Sequence, residues 1–169
     1  ALDDAGFKLL QARPLHMRPA QETDKTWLHH PRLNGHPAGI GLHDTLMKES
    51  AEEASIPRRL AERAKAVSYI SYLNQSGPQL KPDLMTCFDL ELPEDFTPRA
   101  NDGEVHSFEL WPVRRVFETV RDTSEFKYNC NLVLIDFFVR HGLLSADDPQ
   151  FMAIVSGLKK EYTLSNGIG

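Results

Sequence analysis

The sequence predicts an α+β domain, and three observations carry that expectation. Residues 45–56 space apolar and acidic side chains with a helical period. A run over 67–73 mixes β-branched and aromatic residues, and a second strand-like run, 84–90, follows it across a Gly-Pro turn. Helical spacing then returns after Leu110, with Val113, Val116, Phe117 and Val120 on one stripe. Strands and helices in this order call for layers of both kinds around one core.

Residues 6–12 read as either a strand or a short helix, and 13–36 are rich in Pro, His and charge with little periodicity. In the helix over 45–56, at about 100° per residue, Glu49, Glu52 and Glu53 fall on one narrow face while Met47, Ala51 and Ala54 form the opposite, apolar one. Pro57 stands where that helix must end or bend, and 58–66 can add another turn or two. The strands 67–73 and 84–90 are expected to pair as an antiparallel hairpin, with Asn74-Gln-Ser-Gly-Pro78 as its turn.

Residues 93–103 carry three acidic residues and two prolines, the composition of a surface loop. A strand over 105–111 puts Val105, Ser107, Glu109 and Trp111 on one side and His106, Phe108 and Leu110 on the other. A helix over 112–123 follows. The most apolar stretch, 130–144, is too short and too interrupted by Asp136 and Arg140 to span a bilayer, so a buried helix is expected. Asp147-Asp148-Pro149 offers an N-cap and a first-turn proline for a last helix through about Lys160, and 163–169 are expected to fray.

A chain of 169 residues with 41% hydrophobic and 25% charged residues suits one domain with a real core. The net charge of −5, with Lys and Arg dispersed, argues against a nucleic-acid surface and for small-molecule chemistry. No apolar run approaches the ~20 residues of a membrane span and the N-terminus has no signal-like pattern, so the expected location is cytoplasmic. Cys87 and Cys130 lack a metal-type spacing and read as reduced thiols. The seven histidines fall in no HExxH or Cys/His ligand spacing, and no Gly-x-Ser-x-Gly or Cys/His signature supports a covalent nucleophile.

The chemistry-bearing stretch is therefore the acidic helix. Like charges at i, i+3 and i+4 cost a few tenths of a kcal/mol per pair, a cost that a hard divalent cation between them would remove. The plainer alternative is one solvated helix face.

Lys48-Glu49-x-x-Glu52-Glu53-x-x-Ile56 resembles the core of the Nudix box, whose usual form is Arg-Glu-apolar-x-Glu-Glu-x-Gly-apolar, and a glycine loop, Gly35-His-Pro-Ala-Gly39, precedes it. Ile40 stands where the box has a Glu, Lys48 replaces the Arg, Ser55 replaces the glycine, and Asn34-Gly35 replaces a Gly-Gly pair. Lysine keeps the charge but loses the planar fork that grips a carboxylate at two points. The chain also resembles a Nudix branch related to the domain fused to thiamine pyrophosphokinase in some fungi. That likeness rests on Pro37-Ala-Gly-Ile40, the run from Lys48 to Pro57, Asp89-Leu-Glu-Leu-Pro-Glu-Asp-Phe96, Asp102-Gly-Glu-Val105 leading to Leu110-Trp-Pro112, and Phe126-Lys-Tyr-Asn-Cys-Asn131.

The resemblance implies a Nudix fold, an α/β/α sandwich with a mixed central β-sheet flanked by helices and extra C-terminal helices. Residues 1–36 would be the remnant of a preceding domain or an incomplete segment, and 37–169 the hydrolase domain. It implies Mg²⁺ or Mn²⁺ held by Glu49, Glu52 and Glu53, with Glu104 as a further ligand or the general base, against the alternative of a solvated loop glutamate. Lys48 would orient Glu52 or hold phosphate, against the alternative of an ordinary i, i+4 salt bridge, Gly35 and Gly39 would bend the loop close to metal and phosphate, and Trp111 is aromatic enough to stack on a substrate ring, although core packing competes for it. The implied substrate is a small organic diphosphate, thiamine diphosphate or its oxidised forms among them; a homodimer is compatible with the resemblance. The departures from the box motivate a second reading, a Nudix-shaped binding or regulatory module without turnover.

Overall fold

A two-stranded hairpin with helices on both faces organises the chain. This computed structural model describes residues 8–14, 41–76, 78–93, 95–101 and 105–160. In chain order they form β1 (Lys8–Pro14), α1 (Leu42–Ala54), α2 (Arg58–Ala61), β2 (Lys65–Ser76), β3 (Gln79–Asp89), β4 (Val105–Pro112), α3 (Val113–Asp122), α4 (Tyr128–Arg140) and α5 (Phe151–Leu158). The expected tail and most of the N-terminal segment lie outside the described residues. Within the open choice at 6–12, residues 8–12 resolve as strand, because the backbone from Lys8 to Pro14 pairs antiparallel with β4.

β2 and β3 form the expected antiparallel hairpin, with Lys65 opposite Asp89 and Ser76 opposite Gln79. The turn is tighter than 74–78, since Asn74, Gln75 and Ser76 continue the ladder against Lys81, Leu80 and Gln79. The expected mixed central sheet is not assembled among the described strands, which make two antiparallel pairs, β1–β4 and β2–β3. Mixed character needs a parallel ladder, and here parallel pairing is limited to one bridge between Ser71 and Lys159.

Alternation along the strands sends side chains to two cores. On one side Phe88 of β3 packs with Leu46, Met47 and Ala54 of α1, Ile56, and Leu60 and Ala61 of α2, with Phe108 of β4 against them. On the other side Ile70 and Tyr72 of β2 meet Met85 and Cys87 of β3, Val133 of α4 and Leu158 of α5. A third cluster joins Trp111 of β4 to Val113 and Val116 of α3 and to Leu134, Phe137 and Phe138 of α4. Helices and antiparallel strands thus share these clusters, as an α+β class requires. Among the described residues no helix is long and apolar enough to cross a membrane.

Three helix expectations are corrected, and the short helix expected after Pro57 is present at the lower end of its range. In α1 the buried face is Leu46, Met47, Ser50 and Ala54, while Ala51 is exposed, because the core approaches between Leu46 and Ala54 and not behind Ala51. α2 is a single turn: the N–H groups of Arg63 and Ala64 bond the carbonyls of Leu60 and Ala61, a tightening that delivers the chain into β2. α4 stops at Arg140 instead of Leu144, since Gly142 takes φ +66° and lets the Leu143 N–H reach back to the Phe138 carbonyl at 2.8 Å. Asp147-Asp148-Pro149 makes a turn and not a helix start: Asp148 accepts the Gln150 N–H on its carboxylate at 2.8 Å and the Phe151 N–H on its carbonyl at 2.9 Å, so α5 begins at Phe151.

α4 is joined to the hairpin by polar contacts as well as apolar ones. Asp136 is only 2% exposed, and it accepts the Ser68 hydroxyl of β2 at 2.8 Å and the Arg140 Nε–H at 2.7 Å. Arg140 then forks onto the Asp89 carboxylate of β3 at 2.6 and 2.9 Å, where the His141 ring also approaches at 3.1 Å. Burial by itself would raise the Asp89 carboxyl, but the hydrogen bonds from Arg140 and His141 outweigh it and hold it below the usual carboxylate value.

Removing the guanidinium would leave Asp136 buried with the Ser68 hydroxyl but without its counter-charge, so Arg140→Met is expected to cost about 3 kcal/mol in urea unfolding. Because the folded Asp89 pKa is depressed, its contribution is present above the unfolded carboxylate pKa, about 3.9, and is lost as pH falls below that value. Asp89→Asn should therefore flatten the acid limb of the stability profile; an unchanged acid limb would exclude Asp89 as its source.

Candidate metal and diphosphate site

The acidic residues of α1 divide into two environments. Lys48 Nζ lies 2.8 Å from Glu52 Oε2 and 3.7 Å from Glu49 Oε1, and the Glu52 hydrogen bond raises the ammonium pKa above its ordinary value. Glu52, with its side chain 49% exposed, is thus drawn to the solvent side, while Glu49, at 33%, and the half-buried Glu53 lie at the rim of the packed face, one turn apart. Among the described residues no group of three or more His, Cys, Asp or Glu side chains converges as a metal site. Glu104, Gly35, Gly39 and Ile40 lie outside the described residues, as do His29, His30 and His36. The donor chemistry of Glu49 and Glu53 fits a hard cation such as Mg²⁺ or Mn²⁺, which accepts one or two carboxylates and completes its shell with water.

α1 ends in a defined way. Ser55 takes a left-handed backbone, φ 54°, and its N–H and that of Ile56 cap the Ala51 and Ser50 carbonyls at 3.1 Å each. That left-handed turn is the physical reason for a glycine at this place in the Nudix box pattern, since glycine enters it without a Cβ clash. The loop before β4 closes over the turn: Ser55 Oγ donates to the Arg99 carbonyl at 3.0 Å and the Arg99 N–H donates to the Ala54 carbonyl at 3.1 Å. Arg99 carried no signal in the sequence; Ser55 did, through its place in the motif.

Trp111 packs as core. It is 2% exposed, Arg115 lies 3.4 Å above its ring, and its indole N–H donates to Glu109 at 3.1 Å. Both cysteines are free; burial pushes the Cys87 thiol up to about 12 and also raises that of Cys130, so neither supplies a thiolate near neutral pH. His43 is exposed, and His141 is engaged with Asp89.

One side chain of the acidic helix sits uneasily. Ser50 occupies the apolar position of the motif, is fully buried, and its Oγ has no hydrogen-bond partner among the described residues. A buried hydroxyl left unpaired is unfavourable by about 1–3 kcal/mol, so Ser50→Ala is expected to raise the unfolding free energy by about 1 kcal/mol. A loss of stability in the denaturation curve would show that the hydroxyl is satisfied.

The chain is 45% identical over 132 residues to the protein named Nudix hydrolase 20, chloroplastic, of Arabidopsis thaliana, a match covering 78% of this chain and 35% of that protein. It is 44% identical over 140 residues to Nudix hydrolase 24, chloroplastic, of the same plant, covering 83% and 38%. An uncharacterized protein of Saccharomyces cerevisiae is 34% identical over 139 residues, covering 75% and 40%. The chain therefore spans little more than a third of the length of the curated relatives it matches. No protein-family model matches it. Over more than three-quarters of its own length, this chain is similar to part of two plant Nudix hydrolases.

Proposed function

We propose that this chain carries a Nudix-type hydrolase unit, dependent on a divalent metal, that cleaves the diphosphate linkage of a small organic diphosphate. The observation that carries the proposal is the pair Glu49 and Glu53, half-buried one turn apart on α1, on a chain 44–45% identical to two named Nudix hydrolases. Diphosphates resist hydrolysis because their oxygens repel the attacking water, so the site must neutralise charge. A magnesium or manganese ion held by those carboxylates would supply that neutralisation and a more acidic bound water.

The chain's own residues do the rest. Glu49 and Glu53 are the leading ligands. Glu52, drawn aside by Lys48, orients water or joins the ligand set when Lys48 turns toward phosphate. Glu104 is the candidate general base or a further ligand, and Gly35 and Gly39 let their loop approach phosphate. With Trp111 buried, substrate selection falls to other residues. Thiamine diphosphate and its oxidised forms are the substrates to test first, on the likeness of Pro37-Ala-Gly-Ile40 and of the run from Lys48 to Pro57. A cytoplasmic location remains the working assignment, although both plant relatives are named as chloroplastic.

The test is phosphate release from thiamine, nucleoside and sugar diphosphates with Mg²⁺ or Mn²⁺. Glu53→Gln is expected to lower turnover about a hundredfold or more with an unchanged melting temperature. Wild-type activity in that variant would remove Glu53 from the site. Ligand binding without turnover of any diphosphate by the wild type would instead favour a regulatory module, the reading that Ile40 and Lys48 motivate.

A further inference from the structure

The last turn of α1 is held by a strap that starts on the opposite side of the hairpin. Residues 90–93 leave β3 at Asp89, which Arg140 fixes to α4, and Leu90 and Leu92, with Phe96 from 95–101, pack against the core beneath α1. They then reach the helix end, where Arg99 exchanges two hydrogen bonds with Ala54 and Ser55. The strap is thus anchored at both ends. Ser55 sits at φ 54°, a backbone that glycine adopts with less strain. What serine has there, and glycine lacks, is the hydroxyl that bonds the Arg99 carbonyl.

We propose that Ser55 is a positioning residue: its bond to Arg99 fixes the final turn of α1, and with it the Glu53 carboxylate two residues earlier, for a divalent cation. The proposal rests on the metal-site reading above. Mg²⁺ demands near-ideal ligand geometry and Mn²⁺ takes the same hard oxygen donors, so a helix turn free to fray would present Glu53 over a range of positions and bind more weakly. The strap removes that freedom from outside the helix.

Two variants separate positioning from strain, because both lose the hydroxyl and only one keeps the Cβ. Ser55→Gly relieves the left-handed backbone and should melt at or above the wild-type temperature; Ser55→Ala keeps the strain and should melt below it. Both should bind Mn²⁺ about tenfold more weakly than wild type, read by electron paramagnetic resonance titration of the intact protein. Wild-type Mn²⁺ affinity in Ser55→Gly, or a loss seen in Ser55→Ala alone, would reduce Ser55 to a structural residue and overturn the proposal. A wild-type protein with no Mn²⁺ affinity would overturn the metal reading itself, and the role of Ser55 with it. Unaltered affinity in Ser55→Gly beside a binding wild type would overturn only the latter.

Discussion

The guanidinium of Arg140 is the joint on which the layers of this protein depend. It lies between a carboxylate of its own helix, Asp136, and one from the end of β3, Asp89, and through Asp136 it also reaches Ser68 of β2. Two strands and one helix are therefore referenced to a single planar group. Such a network is not an efficient source of stability, because removing the charges from water offsets much of their attraction, and an apolar core of the same volume could do as well. What it supplies is register. Apolar packing of Val133 against Ile70 and Met85 tolerates small slides of α4 along the hairpin, whereas a fork that must meet one carboxylate at two points does not.

That register is transmitted toward the acidic helix. Asp89 is both the partner of Arg140 and the last residue of β3, so the point where the chain leaves the sheet is fixed, and the apolar residues that follow it pack under α1. α1 has no basic residue in its last turn to satisfy its terminal carbonyls. Those of Ser50, Ala51 and Ala54 are met instead by the backbone N–H groups of Ile56, Ser55 and Arg99. A helix with several acidic side chains near its C-terminus also opposes its own dipole, so capping from outside matters more here than in an ordinary helix.

How much of this was legible in the sequence follows the range of each interaction. The hairpin was, because two strand-like runs on either side of a Gly-Pro turn are a local signal, and so was the stripe of α3. Limits set by a single residue competing with its neighbours were not: Leu143 and Leu144 continue the apolar pattern of α4, yet Gly142 ends the helix. Asp147-Asp148-Pro149 has the composition of a helix start, but the Asp148 carboxylate is spent on a turn around Gln150. Asp136 looked like an interruption of an apolar segment because its partners Ser68 and Asp89 lie far away in the chain. The i, i+4 spacing of Asp136 and Arg140 was visible; burial, which turns an ordinary surface pair into a joint, is a property of the folded state. At the acidic helix the motif marked Glu49, Glu52 and Glu53 as candidates and Ser55 as a departure, but the contact of Arg99 depends on a loop whose path no local pattern encodes.

The charge pattern of α1 also changes meaning once Lys48 is placed. Three carboxylates within five residues read as an excess of negative charge that only a cation could relieve, yet Lys48 already serves as one, 2.8 Å from Glu52 and within 4 Å of Glu49. An arginine here could fork onto a single carboxylate and hold it; a lysine ammonium is a point charge that two carboxylates share. Glu52 takes the short contact and Glu49 the long one, so the residue left least committed to Lys48 is also the more buried of the two. The same lysine that replaces the usual arginine therefore divides the three carboxylates, holding Glu52 closely and Glu49 loosely, and the strength of that hold falls with ionic strength because the Lys48–Glu52 contact is exposed.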